Sequence, residues 1–362
     1  MTVQSVQARP LAGDWAPFDF QGVPLSTLIR NDELQSAMRG ISPRRRTPSE
    51  GDVVLVESLD DVGAYARVDT VEGDSIPLGK GDRLLAVLGT RKSSTSISAR
   101  LPEIIEAGCI LGLVSKAGLV GQATATPAYL KYPPLRLQVH GIVCNSTGEA
   151  LNIAMYQHLQ ARHIPINLRD RVAFVCGTAA EVGKTTLLCG LIKALRARGS
   201  KERIGAIKAC GTGRLADVHR YRAAGADVIV DFVDAGWPTT YNMTSLQYGQ
   251  CLEAMLGKCL TDRCDLIFVE IGGDLLDGHA ETALDFAATH GCATHLVVGD
   301  AMAAQAALAT LSIHRVRLEN VAVLNRNSSA IAERIGKSFV VDLNDEQALL
   351  RIPMPLSFRP GN

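Results

Sequence analysis

"GTAAEVGKTT" (Gly177–Thr186) is the stretch on which the reading of this chain turns. It carries the glycines, lysine and threonines of a phosphate-binding loop. Five residues (Thr178, Ala179, Ala180, Glu181 and Val182) separate Gly177 from Gly183, one more than the common spacing. Its surroundings argue for the loop. "VAFVCG" before it is an apolar, β-branched run of strand type, and "KTTLLCGLIKALRARG" after it repeats apolar residues at helical spacing. In that setting the glycines admit close approach of an anion, and the helix N-terminus with its free N–H groups favours negative charge. Lys184 supplies a cation, and the Thr185 hydroxyl is a magnesium ligand.

Outward from the loop, the C-terminal half alternates apolar runs with helical segments. The runs are "RIGAIKAC", "DVIVDFV", "DLIFVEIGG", "THLVVGD" and "NVAVLN", and the helices lie near "LQYGQCLEAMLGKCL" and "AMAAQAALATL". This rhythm predicts an α/β fold, a mainly parallel sheet with flanking helices, over 170–362. Residues 1–160 read differently. After an irregular start and the polar break "SPRRRTPSEG" come short strands in "DVVLVES", "AYARVDT", "DRLLAVLGT" and "LRLQVHGIV", the pattern of a smaller β-rich domain. A short helix is expected within "LPEIIEAGCILGLVSKAG", and "EALNIAMYQHLQ" reads as a helix of three turns.

With 37 basic and 37 acidic side chains in 362 residues, no overall field draws in nucleic acid or a membrane surface. The start "MTVQSVQARPLAGDW" lacks the apolar core of a secretion signal and no run is long enough to span a bilayer, so a soluble, cytoplasmic protein is expected. The nine cysteines form no CxxC pair and read as reduced core thiols.

The five-residue spacing, with Thr178 after the first glycine and Glu181-Val182 before Gly183-Lys184, resembles the loop of dethiobiotin synthetases and their relatives, including cobyrinic acid amidating enzymes. The resemblance covers 170–345 and continues in order. "IKACGT" offers Lys208 and Thr212 where the family has a phosphate-facing lysine and a hydroxyl four residues on. "LADVHRY" offers Asp217 for magnesium, "DLIFVEIGGD" offers Glu270 for metal with Gly272 and Gly273, and "NVAVLN" ends at Asn325, where the family contacts adenine. "ADVIVDFVDAG" is similar to a run in P-loop proteins linked to N-acylation of D-amino acids. Ala179 and Ala180 depart from the synthetases, which commonly carry polar side chains there.

The resemblance implies ATP and Mg2+ as cofactors, held by Gly177, Thr178, Glu181, Val182, Gly183, Lys184, Thr185, Thr186 and Asn325. Thr185, Asp217 and Glu270 would be metal ligands, Lys184, Lys208 and Glu270 catalytic, and Thr212, Gly272 and Gly273 on the substrate side. It further implies a homodimer acting on a small molecule, a carboxylate or carbamate that is phosphorylated and captured by an amine, with neither nucleic acid nor membrane as partner. A nucleotide-dependent switch or chaperone, and a polynucleotide 5′-hydroxyl kinase, are the competing readings.

Several residues carry a second reading. Asp217 also suits a solvated helix charge paired with Arg220 or Arg222, Glu270 a salt bridge, Lys208 a surface lysine, and Asn325 a cap for the next segment. Glu181 either touches nucleotide or shapes the loop. His219 and His279 are candidates for a base. "GTRKSSTS" (Gly89–Ser96) is either an anion grip or a solvated loop, and Trp237, Thr239 and Tyr241 in "GWPTTYN" are either ligands or packing residues.

Overall fold

The computed structural model describes residues 15–157, 159, 164–165, 167–277, 279–338 and 340–352. These divide into two compact units, the first running to Gln157 with Gly236–Pro238 added, the second containing the remainder.

In the first unit the elements are β1 (Ala16–Pro17), α1 (Asp32–Ala37), β2 (Gly40–Ser42), β3 (Val53–Ser58), β4 (Arg67–Asp69), β5 (Ser75–Pro77), β6 (Arg83–Leu88), β7 (Ser98–Arg100), β8 (Ile110–Ser115), β9 (Leu119–Ala125) and β10 (Arg136–Cys144). Five of them close into a ring, β10–β3–β6–β9–β8 and back to β10. All its junctions are antiparallel except β6 with β9, where Val87 and Leu88 pair with Leu119 and Val120 in parallel. Val54, Val56, Leu84, Ala86, Leu88, Leu113 and Val139 alternate along their strands into one buried cluster. Closure leaves the ring without an edge, which protects a sheet of short strands.

Three local expectations change here. Residues 101–109 are not helical, because Ile105 exchanges both backbone hydrogen bonds with Arg46 and is thereby held extended. In place of a three-turn helix over 149–160 there is one 3-10 turn, Ile153–Tyr156, with His158 and Gln160 outside the described residues. Leu151 pairs with Val143 and Val53, and the Asn152 amide binds the Glu50 carbonyl and the Asp52 carboxylate, so tertiary partners hold the segment extended. The irregular first 40 residues contain α1, capped by the Asn31 side chain on the Leu34 N–H at 2.9 Å.

The second unit alternates β11 (Val172–Gly177), α2 (Lys184–Ala197), β12 (Ile204–Lys208), α3 (Leu215–Ala224), β13 (Val228–Asp231), α4 (Ser245–Thr261), β14 (Leu266–Glu270), α5 (Ala280–Thr289), β15 (Ala293–Val297), α6 (Ala301–Ile313), β16 (Arg317–Val323), α7 (Ser328–Arg334), β17 (Val341–Asp342) and α8 (Glu346–Leu350). Its sheet is wholly parallel, in the order β13–β12–β14–β11–β15–β16–β17. Both faces are covered, so β11 and β14 are buried along their whole lengths. Leu187, Leu188, Leu191, Ile192 and Leu195 turn one stripe of α2 onto the sheet. α4 starts with a complete capping box, Thr244 and Gln247 each satisfying the other's backbone N–H.

Two consequences position the site. β14 lies between β11 and β12, so the loop after β11 stands beside the ends of both. The register sets Lys208 directly opposite Glu270 and Val175 opposite Glu270 on the other side. All nine cysteines are unpaired, eight of them buried. Among the described residues no helix is long and apolar enough to cross a membrane.

Candidate functional site

The loop from Gly177 to Thr186 joins the end of β11 to the start of α2. Gly183 is the residue that caps the helix, at φ +117°, a backbone conformation that side chains resist. Gly177 is required by crowding, because a Cβ there would lie 2.7 Å from Val182 Cγ1 and 3.0 Å from Lys184 Cγ. Glu181 is exposed and left-handed at φ +60°, so its backbone shapes the bend. The Thr178 hydroxyl accepts from the Gly299 N–H at 3.0 Å, tying the loop to the segment after β15.

Lys184 is 5% exposed and lies along the inside of the loop. Its Nζ donates to the Ala179 carbonyl at 2.7 Å and to the Gly273 carbonyl, a residue beyond β14. Burial lowers the Lys184 pKa and the nearby Lys208 charge lowers it further, against the pull of Glu270.

Beside it, four of the predicted residues converge. Lys208 Nζ is 2.5 Å from Glu270 Oε1 and 3.0 Å from Asp217 Oδ2. Thr185 Oγ1 is 3.1 Å from the same Glu270 oxygen and 3.5 Å from Asp217 Oδ1. Burial opposes the Lys208 charge, but the two carboxylates outweigh it and raise its pKa. Burial works against the Asp217 charge as well, and Lys208 overcomes it and lowers the Asp217 pKa. The partner of Asp217 is therefore Lys208; Arg220 turns its guanidinium to the Thr186 hydroxyl at 3.1 Å.

Sequence reasoning missed Tyr221. Its hydroxyl, at the fully buried end of an α3 side chain, donates to Glu270 Oε2 at 2.6 Å, and burial and Glu270 hold its pKa well above the usual phenol value. The available signal was its spacing four residues after Asp217, which places both on one face of α3. Also missed was a cavity of about 470 Å3 beginning at Thr186. Its walls include Cys189, Lys193, Arg220, Asn344 and Leu349, from α2, α3 and the segment around α8.

The remaining predicted residues are placed as follows. Gly272 backs onto the Cys210 carbonyl, where a Cβ would lie 2.5 Å away, and Gly273 is left-handed at φ +71°. Thr212 pairs its backbone with Thr239, and its carbonyl accepts from the Arg214 N–H at 2.8 Å. Asn325 lies two residues past β16, exposed and left-handed at φ +55°; the cap of α7 is Asn327, which accepts from the Ala330 N–H. His219 is exposed, whereas His279 is buried and stacked on Tyr248 at 4.6 Å. In the first unit, the Arg91 of "GTRKSSTS" binds the Val114 carbonyl and lies 5.9 Å above the Tyr65 ring centroid, which makes it a packing residue. Thr239 and Thr240 are buried, and the Thr240 hydroxyl holds the Gly211 N–H.

The donor set fits magnesium. Among the described residues no group of three or more His, Cys, Asp or Glu side chains converges on a metal. Magnesium, however, is characteristically held by one or two carboxylates with phosphate and water completing its shell. The Thr185 hydroxyl and the Asp217 and Glu270 carboxylates beside the glycine-rich loop meet that description.

The second unit thus combines a wholly parallel sheet with a glycine-rich loop, Lys184 and Thr185 at the start of the next helix, and the Asp217 and Glu270 carboxylates beside them. No family description and no curated protein matches the chain. Among solved structures it is similar to the signal recognition particle receptor FtsY from Elizabethkingia anophelis, at 16% identity and TM-score 0.34 over 54% of this chain and 65% of that one. It is also similar to hydrogenase maturation factor HypB from Archaeoglobus fulgidus, at 20% identity and TM-score 0.30 over 51% of this chain and 77% of that one. Cell division protein ftsY from Thermotoga maritima aligns at 16% identity and TM-score 0.31, over 56% of this chain and 66% of that one. The chain thus spans just under two thirds of these two FtsY structures.

Proposed function

We propose that the second unit is a magnesium-dependent nucleoside triphosphatase whose nucleotide state is passed to the segment after β14. The observation that carries this reading is the Lys184 ammonium, which is bound to the Gly273 carbonyl. A phosphate in the loop would draw Lys184 away from Gly273, so occupancy and the conformation of Gly272–Asp277 are linked through one side chain.

In this reading Lys184 and the backbone N–H groups of 181–186 bind the β- and γ-phosphates, and Lys208 neutralises an equatorial oxygen of the transferring group. Thr185, Asp217 and Glu270 would hold Mg2+, which supplies charge neutralisation at the phosphoryl oxygens. Tyr221 fixes the Glu270 carboxylate. The cavity beside Thr186 has the volume of a small-ligand site and receives the nucleoside, with Arg220 and Asn344 at its polar rim. Asn325, two residues past β16, is a second candidate contact for the base.

The synthetase-like reading, in which ATP activates a carboxylate or carbamate for amide or ring formation, is favoured by a different observation. Lys208 is a second cation at a strand end beside the loop, where an acceptor oxygen would need one. Homodimerisation would accompany this reading. Nucleoside diphosphate release from ATP and from GTP separates the two: a switch shows slow turnover raised by a partner protein, a synthetase shows turnover raised by a small acid with an amine. No hydrolysis of either nucleotide under any of these conditions would sink both.

A further inference from the structure

We propose that Lys208 is a built-in counter-ion that holds the place of the magnesium ion in the nucleotide-free protein, so that metal and nucleotide bind only together. This rests on the nucleotide-binding reading above. The register puts Lys208 and Glu270 side by side on β12 and β14, and α3 brings Asp217 to the same ammonium. At 2.5 Å and 3.0 Å the ammonium bridges the two carboxylates assigned to the metal.

Both oxygens of Glu270 are engaged. Oε1 receives both Lys208 and the Thr185 hydroxyl, and Oε2 receives the buried Tyr221 hydroxyl at 2.6 Å. A divalent cation arriving alone would meet a monovalent one already seated on its ligands, held in a largely buried site where like charges are poorly screened. A triphosphate in the adjoining loop offers Lys208 a new anionic partner. The ammonium then moves from carboxylate to phosphate, and Glu270 and Asp217 become available to the metal. The two ligands are therefore coupled through one side chain, and by linkage each must raise the affinity for the other.

The probe is Mn2+ alone, titrated into nucleotide-free full-length protein and followed by the electron paramagnetic resonance signal of the free ion. Wild-type protein should bind it weakly. Lys208→Met should bind it at least about tenfold more tightly, the size expected from removing one like charge at this range. Adding Glu270→Gln to that variant should abolish the gain. Equal Mn2+ affinity in wild type and Lys208→Met overturns the proposal, as does a gain that survives Glu270→Gln. Since removing a cation beside a buried carboxylate can compromise folding, Lys208→Gln, which retains a hydrogen-bond donor, is measured in parallel and judged by the same criterion. The wild type gives a further measurement: Mn2+ affinity must rise by about tenfold or more with a non-hydrolysable triphosphate present, and no rise overturns the proposal. Binding of a fluorescent nucleotide to the wild type in the presence of Mg2+ keeps the two questions apart. Its absence removes the nucleotide reading, whereas nucleotide binding with unchanged Mn2+ affinity in the Lys208 variants removes only this inference.

Discussion

In the barrel every ring strand is paired on both sides, and charged pairs such as Arg136–Asp60 and Arg83–Glu57 sit on its outside. Its buried Asp52 is consumed by the Ser49 N–H, the Asn152 amide and Arg46. In the parallel sheet β11, β12 and β14 all end at one edge, so Lys184, Lys208, Glu270 and Asp217 are gathered there with little water to share. One architecture disperses charge and the other concentrates it. Polar side chains converge in the second, because strand ends and a helix N-terminus leave backbone and side-chain groups that seek partners there.

That contrast can be broken by substitution. Glu270→Ala should have the largest effect, because it strips Lys208 and Tyr221 of their shared buried partner; a loss of about 3–5 kcal/mol in urea unfolding is expected, and a loss near zero would mean the cluster is solvated. Next comes His295, fully buried on β15, whose pKa is depressed to about 4 by burial and by the Arg317 charge. The unfolded chain takes up this proton near the ordinary histidine value of 6.5, the folded chain only near 4, so stability is intact above that window and falls as pH drops through it. The drop should approach about 3 kcal/mol, and His295→Leu should remove it from the pH dependence of unfolding.

Smaller still, Tyr221→Phe removes one hydrogen bond to a buried carboxylate and should cost about 1–3 kcal/mol. It should also reduce nucleotide turnover more than nucleotide affinity, measured as kcat against KM. At the far end, Arg136→Ala breaks an exposed pair on the barrel and should leave the unfolding midpoint unchanged. A midpoint shift as large as that of Tyr221→Phe would erase the distinction between the two regions.

How far these features could be read in advance depended on whether they were local. The strand–loop–helix around Gly177–Thr186 and the βα alternation after it were legible, because each rests on composition and period within a few residues. Thr185, Lys208, Asp217 and Glu270, which only the family resemblance singled out, lie within hydrogen-bond or ion-pair distance of one another. Tyr221 was hidden because an aromatic residue inside a helix reads as core, and only the fold shows its hydroxyl reaching Glu270. The wall formed by Asn344 and Leu349 was hidden because it comes from a segment more than 150 residues from the loop it faces. In the barrel, individual strands were legible but the parallel β6–β9 junction that closes the ring was not. The helices expected at 101–118 and 149–160 failed because Arg46 and Asp52, distant in sequence, hold those backbones extended.

Binding of a magnesium nucleoside triphosphate to Gly177–Thr186 through Lys184 is the proposal on which the others depend. Calorimetric titration of ATP and of GTP, each with Mg2+, into the wild type and Lys184→Ala tests it most directly. Saturable binding of at least one nucleotide to the wild type is expected, weakened by about 100-fold or more in a variant with an unchanged circular dichroism spectrum. No binding to the wild type, or equal binding to both proteins, would contradict it.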